Sequence, residues 1–266
     1  MIYIRQMCRF FVEFQHGNVN QIINGFLKQS VQSCKNTPGA DNPRDQTGHR
    51  DGYGLAWFSK GKWNTYKNTE LYIHNKALPP LIRKIPKHLV IGHIRKKKYG
   101  NNAIVNTHPF FFENQIFLQN GYIDNFPNHI SQIKKAIAPE YLPHIVGGTD
   151  TECLFFLYLT CKTKTKNSVD AFAQLFAMFK QWKIEIVANI IYANDSEVVI
   201  TRYLYYDQSQ YDTKQYPPSL YWNIKSSNGL LITSEPIQDA ITMIPENTII
   251  SLNHETGKMD EYRLPI

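Results

Sequence analysis

The residue with the most distinctive chemical option is Cys8, which opens the apolar run at residues 8–14. A cysteine at the start of a chain carries its own base, because the reference pKa values are about 7.7–8.0 for the α-amine and about 8.5 for the thiol. This is the N-terminal-amine form of nucleophilic catalysis. It requires that residues 1–7 are a leader that is absent or removed, because an amide nitrogen is not basic. Otherwise Cys8 is a small core residue in a first strand.

Composition limits the classes of protein. The chain has 266 residues, 42% of them hydrophobic, with no linker or repeat, which favours a single domain over residues 8–266. No apolar run approaches the roughly 18–20 residues that span a bilayer, and no secretory signal is present. The cysteines are too few and too irregular for a disulfide framework: Cys8, Cys34, Cys153 and Cys161. We therefore expect a cytoplasmic protein without a membrane partner.

The formal net charge of +7 favours anionic partners. The main basic cluster, residues 95–98, is not interleaved with stacking aromatics and matches no nucleic-acid module, so a solvated loop is favoured over nucleic-acid binding. The sequence contains no zinc-ligand spacing, no Gly-rich phosphate loop, no HExxH and no GxSxG. We expect neither a metal nor a cofactor.

The apolar patterns predict elements that would position these residues. Helices are expected at 19–31, 75–85, 128–137, from the Gly147-Gly148 turn through 158, and at 168–182. Strands are expected at 8–14, 53–58, 63–72, 89–95, 116–121, 186–193, 197–205, 219–224, 229–234, 247–252 and 259–264. Strands in two blocks with helices between them indicate antiparallel sheets covered by helices, an α+β fold.

Local signals refine this assignment. The pair Asn120-Gly121 is a strong turn signal, so the strand 116–121 is expected to stop there. Thr149 and Glu152 have the spacing of a capping box. The polar segment 35–50 is a long loop of the kind that often carries function.

Seven short motifs occur in a fixed order along nearly the whole chain. They are Met7-Cys8-Arg9-Phe10, Asp51-Gly52-Tyr53-Gly54, His93-Ile94-Arg95, Asn106-Thr107-His108-Pro109-Phe110, Asn120-Gly121, Thr149-Asp150-Thr151-Glu152 and Ser234-Glu235-Pro236. Together they resemble the class II glutamine amidotransferases, and within these the single-domain group that hydrolyses γ-glutamyl amides or peptides. The resemblance implies the four-layer αββα sandwich of two antiparallel sheets found in N-terminal nucleophile hydrolases.

The resemblance also implies catalytic roles. Cys8 would attack the side-chain amide of glutamine, form a γ-glutamyl thioester and release ammonia, with its α-amine carrying the proton. The side-chain amide of Asn120 and the backbone N–H of Gly121 would stabilise the tetrahedral intermediate. The alternative for this pair is an ordinary hairpin turn.

Binding roles follow from the same resemblance. Arg95 would hold the substrate α-carboxylate, for which a planar guanidinium is suited, and Asp150 would receive the α-ammonium. The alternatives are a surface arginine at a strand end, and a carboxylate favoured by a helix dipole. Gly52 would permit close backbone approach to the nucleophile. We expect His93 and His108 to be structural.

Three positions depart from the family pattern. Gln119 stands where relatives often have His, and Lys97 and Lys98 replace a small residue and a Thr. An ammonium only donates hydrogen bonds, so Lys98 does not reproduce a hydroxyl acceptor. Lys98 is predicted to bind substrate and to suit one with an extra carboxylate, such as a γ-glutamyl peptide.

The leading interpretation is a cysteine amidohydrolase or amidotransferase acting on glutamine or a γ-glutamyl peptide. No synthase domain is recognisable, so amide transfer would need a separate ammonia-accepting partner, and otherwise water accepts the glutamyl group. The alternative is a non-catalytic protein of the same fold that binds a γ-glutamyl metabolite or a protein partner. The leader and the altered positions favour this alternative; Cys8, Arg95, Asn120-Gly121 and Asp150 oppose it.

Overall fold

The computed structural model describes residues 8–31, 49–206, 220–225, 229–237 and 241–264. The strands are Arg9–Phe14 (β1), Tyr53–Ser59 (β2), Lys62–Asn68 (β3), Leu89–Ile94 (β4), Phe110–Phe112 (β5), Gln115–Ile123 (β6), Ile186–Ala193 (β7), Glu197–Tyr205 (β8), Tyr221–Ile224 (β9), Leu230–Thr233 (β10), Thr242–Met243 (β11), Thr248–Asn253 (β12) and Met259–Arg263 (β13). The α-helices are Val19–Lys28 (α1), Leu78–Lys84 (α2), Phe126–Ala136 (α3), Asp150–Lys162 (α4) and Ser168–Trp182 (α5). Among the described helices, none has the length and apolar character that crossing a bilayer requires.

The strands form two antiparallel sheets. A seven-stranded sheet has the order β11-β9-β10-β1-β4-β2-β3, and a six-stranded sheet has the order β13-β12-β8-β7-β6-β5. Apolar side chains from both sheets, such as Phe10, Ile91, Leu118 and Ile191, form one buried cluster between them. The sheets therefore pack face to face, as in a sandwich.

Helices cover the two outer faces. A second cluster packs α1 and α2 on the seven-stranded sheet, and a third packs α3, α4 and α5 on the six-stranded sheet. This is the four-layer αββα sandwich that the sequence resemblance implied, and the α+β assignment is confirmed. Nothing in the described residues tests whether residues 8–266 are one domain, and the leader, residues 1–7, lies outside them.

The helix α4 is buried from Asp150 through Cys161, on every side. Because no side of this helix faces solvent, other elements must cover it on all sides. It packs between α3, α5 and the six-stranded sheet. This position fixes the start of α4, including Asp150, against the end of β6.

The prediction that the strand beginning at 116 stops in a turn at Asn120-Gly121 is wrong. β6 continues to Ile123, with Asn120 opposite Asn189 and Gly121 opposite Ala188 on β7. Pairing with an eight-residue neighbouring strand outweighs the local turn preference of the Asn-Gly pair. The pair is therefore held in an extended ladder.

The capping box at the start of α4 is only half formed. The Thr149 side chain accepts the N–H of Glu152 at 3.2 Å, as predicted. The Glu152 carboxylate instead accepts the N–H groups of Val146 (3.1 Å) and Gly147 (2.7 Å). It therefore fixes the loop before the helix. Two short strands, β5 and β11, were not predicted. The remaining differences are boundary shifts of up to four residues, as at strand 63–72, which ends at Asn68, and at α4, which continues to Lys162. Most of the 35–50 loop lies outside the described residues.

Candidate active site

Strand alternation brings three predicted site residues to the space between the sheets. Successive residues of a strand point to opposite faces. Phe10 on β1 and Leu118 on β6 belong to the cluster between the sheets, so Cys8 and Asn120 extend the inward-facing series. His93 lies opposite Phe10 in the β1–β4 pair, which puts Arg95 in the inward series of β4. Both sheets therefore contribute to one end of the interior.

The two sheets are tied together next to this end. The Nε2 atom of His93 lies 3.2 Å from the carbonyl oxygen of Gln119, the residue before Asn120. The His93 ring also packs against the His108 ring, with 3.9 Å between centroids and the ring planes tilted by 34°. Burial lowers the pKa of His93 to about 3, so the ring is neutral at neutral pH. This favours the structural interpretation of both histidines.

The sulfur of Cys8 is held by the chain that follows β4. It accepts the N–H of Lys96 at 3.2 Å and lies 3.4 Å from the Lys96 carbonyl oxygen. Burial raises the pKa of the thiol to about 11, while the Lys96 N–H and the charges of Arg95 and Arg9 act in the opposite direction. The thiol is therefore protonated at neutral pH, and attack on an amide requires a base that removes this proton.

Arg95 is buried at the end of β4 and is held by the loop that follows it. Its guanidinium donates to the carbonyl oxygens of Tyr99 (2.8 Å) and Asn101 (3.1 Å) and to Oδ1 of Asn102 (3.2 Å). The charge of Asp150 acts on this guanidinium and opposes the decrease in pKa that burial causes. Arg95 is thus a fixed cation on which both Cys8 and Asp150 act electrostatically.

Gly52 sits against the backbone of Arg95. Its carbonyl oxygen accepts the Arg95 N–H at 2.8 Å. The backbone at Gly52 has φ +117°, and an added Cβ would lie 3.1 Å from both the Asn68 carbonyl oxygen and Thr107 Oγ1. Only glycine adopts this conformation easily. The residue therefore permits the close approach that positions Arg95.

Asp150, the first residue of α4, is anchored to the end of β6. One carboxylate oxygen accepts the N–H of Ile123 at 2.8 Å, and the other accepts the N–H of Thr151 at 2.9 Å. Burial raises the pKa of Asp150 to about 6, against the effect of these two N–H groups and of Lys98. The carboxylate is ionised above that pH and can receive a cation.

Asn120 is buried on β6, and its side-chain oxygen has no hydrogen-bond partner among the described residues. Gly121 is closely packed, because a Cβ at this position would lie 1.9 Å from the Val187 carbonyl oxygen. Gln119 supports the pair: its Nε2 donates to that same carbonyl at 2.9 Å, and its Oε1 accepts the Thr151 hydroxyl at 3.0 Å. Gln119, one of the three residues that depart from the family pattern, therefore links β6, β7 and α4.

Comparison with known proteins identifies the family of this chain. Residues 28–205 match the sequence model of a protein family, the class II glutamine amidotransferases. The chain belongs to the class II glutamine amidotransferases. The matched range contains Gly52, Arg95, Asn120 and Asp150, whereas Cys8 precedes it.

Curated relatives share part of their sequence with this chain. A probable glutamine amidotransferase of Saccharomyces cerevisiae is 34% identical over 115 residues, which are 41% of this chain and 32% of the yeast protein. A putative glutamine amidotransferase of Haemophilus influenzae is 31% identical over 118 residues, 40% of this chain and 35% of that protein. The chain therefore spans about a third of the length of the curated relatives it matches.

Solved structures show the same fold. A glutamine aminotransferase class-II domain protein from Silicibacter pomeroyi superposes with a TM-score of 0.65 at 16% identity, over 97% of this chain and all of that chain (100%). A glutamine phosphoribosylpyrophosphate amidotransferase from B. subtilis superposes with a TM-score of 0.62 at 16% identity, over 97% of this chain and 50% of that one.

Two residues of the motif Ser234-Glu235-Pro236 contact β1. Ser234 donates its N–H to the Phe10 carbonyl at 3.0 Å and accepts the Phe10 N–H on its hydroxyl at 3.0 Å. Glu235 forms an ion pair with Arg9. The motif therefore fixes Arg9 and Phe10, the two residues that follow Cys8. Because the motif lies more than 200 residues away along the chain, the sequence alone did not reveal these contacts.

The two lysines that depart from the family pattern, Lys97 and Lys98, make different contacts. The Lys97 side chain is exposed, and its backbone N–H donates to the Asp51 carboxylate at 2.8 Å. The Lys98 ammonium lies 3.1 Å from the centroid of the Tyr122 ring and 3.8 Å from the Asp124 carboxylate. Within the described ranges, no cluster of three or more His, Cys, Asp or Glu residues is arranged to hold a metal ion.

Proposed function

We propose that this protein cleaves the γ-glutamyl amide of glutamine or of a γ-glutamyl peptide through a thioester on Cys8. The observation that carries the proposal is the convergence of one thiol, one guanidinium and one carboxylate at the same end of the sandwich. The charges of Arg95 and Asp150 both act on the Cys8 thiol. An amino-acid head has one anionic and one cationic group, which such a pair complements.

In the proposed reaction Arg95 binds the substrate α-carboxylate and Asp150 binds the α-ammonium. The Cys8 sulfur attacks the amide carbon, and the liberated α-amine of Cys8 takes the thiol proton and delivers it to the leaving nitrogen. The Asn120 side-chain amide and the Gly121 N–H stabilise the oxyanion, and Gly52 keeps the Arg95 backbone close to the sulfur. Water then hydrolyses the thioester, which releases glutamate and regenerates the thiol. The ammonia released from glutamine goes to solvent or passes to a separate accepting partner.

The test compares a chain that begins at Cys8 with the 266-residue chain. Release of ammonia and glutamate is measured with glutamine, and release of glutamate and of the free amino acid or peptide is measured with γ-glutamyl peptides. Intact mass shows where each chain begins. A diazoketone analogue of glutamine is expected to label the shortened chain once. Cys8→Ala should abolish the label and turnover, whereas Cys161→Ala, a matched change at another buried thiol, should retain both.

Two results would contradict the proposal. Equal turnover by both chains would refute the role of the α-amine as base. Glutamine binding without turnover by the shortened chain would favour the second candidate, a non-catalytic protein that binds a γ-glutamyl metabolite or a protein partner. The observation that favours this candidate is the buried thiol itself, whose pKa of about 11 makes it a poor nucleophile in the chain that retains residues 1–7.

A further inference from the structure

The loop that follows Arg95 contacts both the Cys8 thiol and the Arg95 guanidinium of the proposed site. Lys96 holds the Cys8 sulfur through its N–H, and the carbonyl oxygens of Tyr99 and Asn101 hold the guanidinium of Arg95. Lys98 lies between these two segments of the loop, but its ammonium extends in another direction, onto the Tyr122 ring and toward Asp124.

Tyr122 and Asp124 flank the residue that anchors Asp150. The Asp150 carboxylate accepts the N–H of Ile123 at 2.8 Å, and Tyr99 donates its hydroxyl to the Ile123 carbonyl at 3.0 Å. The Lys98 ammonium therefore occupies the side of the site where a substrate α-ammonium would bind. The contacts of the Lys98 ammonium are with Tyr122 and Asp124, not with the Cys8 sulfur. The leaving group, and any carboxylate that it carries, would lie beside that sulfur.

We propose that Lys98 determines selectivity at the amino end of the substrate, disfavouring a free α-ammonium at Asp150 and favouring glutamyl compounds whose α-nitrogen is acylated or absent. This inference rests on the proposed function, in which Asp150 receives the α-nitrogen. Two like charges close to one carboxylate repel each other, and the partial burial of the site weakens solvent screening. A neutral amide at the same position avoids this repulsion.

The experiment uses the chain that begins at Cys8 and three substrates: glutamine, N-acetylglutamine and glutaramate, which lacks the α-amine. Lys98→Met removes the charge and keeps most of the side-chain length. At pH 8 we expect the KM for glutamine to fall about threefold, with kcat and the KM values of the other two substrates little changed, because a partly exposed pair interacts modestly. Lys98→Arg should keep the wild-type preference.

Lys97→Met is the matched control, because it makes the same charge change one residue away, on a side chain that is also exposed. It should leave all three KM values unchanged. A role of Lys98 in folding alone would change the three substrates together, whereas the proposed role changes their ratio.

The advantage of Lys98→Met should shrink below pH 6. The charged and titratable groups around Asp150 lie on several elements. They are Lys98 and Tyr99 on the loop, Asp124 after β6, Arg95 at the end of β4, Cys8 before β1 and Cys153 on α4. Without Lys98 the pKa of Asp150 rises further above its present value of about 6. More of the carboxylate is then protonated in acid, which weakens its attraction for the α-ammonium.

An unchanged ratio of KM values in Lys98→Met, or an equal shift in Lys97→Met, would overturn the inference while leaving the proposed function standing. Absence of turnover by the unaltered shortened chain with all three substrates would instead count against the proposed function. In that event, calorimetric titration of the same chains with glutamine and N-acetylglutamine gives the same ratio from binding constants, and an unchanged ratio again overturns the inference.

Discussion

Replacing Asn120 by Ala should separate catalysis from stability. In the proposed reaction the side-chain amide of Asn120 donates to the oxyanion, so the variant loses one donor. Loss of one such donor costs about 2.7–4 kcal/mol in the barrier, a decrease in kcat of about 10²–10³-fold.

Stability should hardly change, for a reason that the structure supplies. The Asn120 side-chain oxygen is buried and has no partner among the described residues, and leaving such a group unpaired costs about 1–3 kcal/mol. Truncation removes that cost but leaves a small cavity, which is unfavourable by a similar amount. We expect the free energy of unfolding to change by less than about 1 kcal/mol.

Asn114→Ala is the reciprocal control. Asn114 has φ +58° at the turn between β5 and β6, and its side chain accepts the Trp63 N–H at 2.8 Å. Its loss should cost about 1–2 kcal/mol, because a hydrogen bond disappears and Ala tolerates left-handed backbone poorly. Urea unfolding and steady-state ammonia release measure both effects. The reasoning fails if Asn120→Ala lowers stability in parallel with kcat, or lowers kcat by less than tenfold.

Three further outcomes are expected. Gly121→Ala should destabilise the fold by more than about 3 kcal/mol in urea unfolding, since its Cβ meets a carbonyl of the paired strand. Gly148→Ala should not destabilise it to this extent, because the nearest heavy atom to an added Cβ is 3.6 Å away. Equal effects of the two changes would contradict the described packing. Burial raises the pKa of Glu13 from 4.5 to about 7, so its contribution to stability is full below pH 4.5 and is lost as pH rises to 7. Glu13→Gln should therefore make the midpoint of urea unfolding less dependent on pH across that range, and an unchanged pH dependence would refute the prediction. With residues 1–7 retained, the rate of Cys8 alkylation, measured by mass spectrometry, should increase with pH up to about pH 11. A rate that reaches its plateau by pH 8 would disprove the buried-thiol description.

Local patterns determined much of the fold from the sequence. The apolar spacing of residues 168–182 predicted α5 with the bounds that are observed, because a helix that covers a sheet needs one apolar face. Asn194-Asp195 correctly predicted the turn between β7 and β8, whose strands pair up to Ala193 opposite Val198. Such signals depend on neighbours in the chain, so they can be interpreted without the tertiary structure.

The sequence also predicted which residues would form a site, through the order of its motifs. Their relative geometry could not be obtained in this way. The alternation of strands that places Cys8 and Asn120 between the sheets depends on the register of β1 and β6 in different sheets. The ion pair of Arg9 with Glu235 likewise joins residues that no local pattern relates.

The tertiary structure alone decided the state of the Asn120-Gly121 pair and the position of Lys98. An isolated Asn-Gly favours a turn, but pairing with β7 keeps it extended, because the ladder and the close packing of Gly121 outweigh a local preference. The charge of Lys98 is evident from its residue type, whereas its place beside Tyr122 and Asp124 follows from how the loop after β4 folds against β6. The sequence determined which groups are present, and long-range packing determined which of them meet.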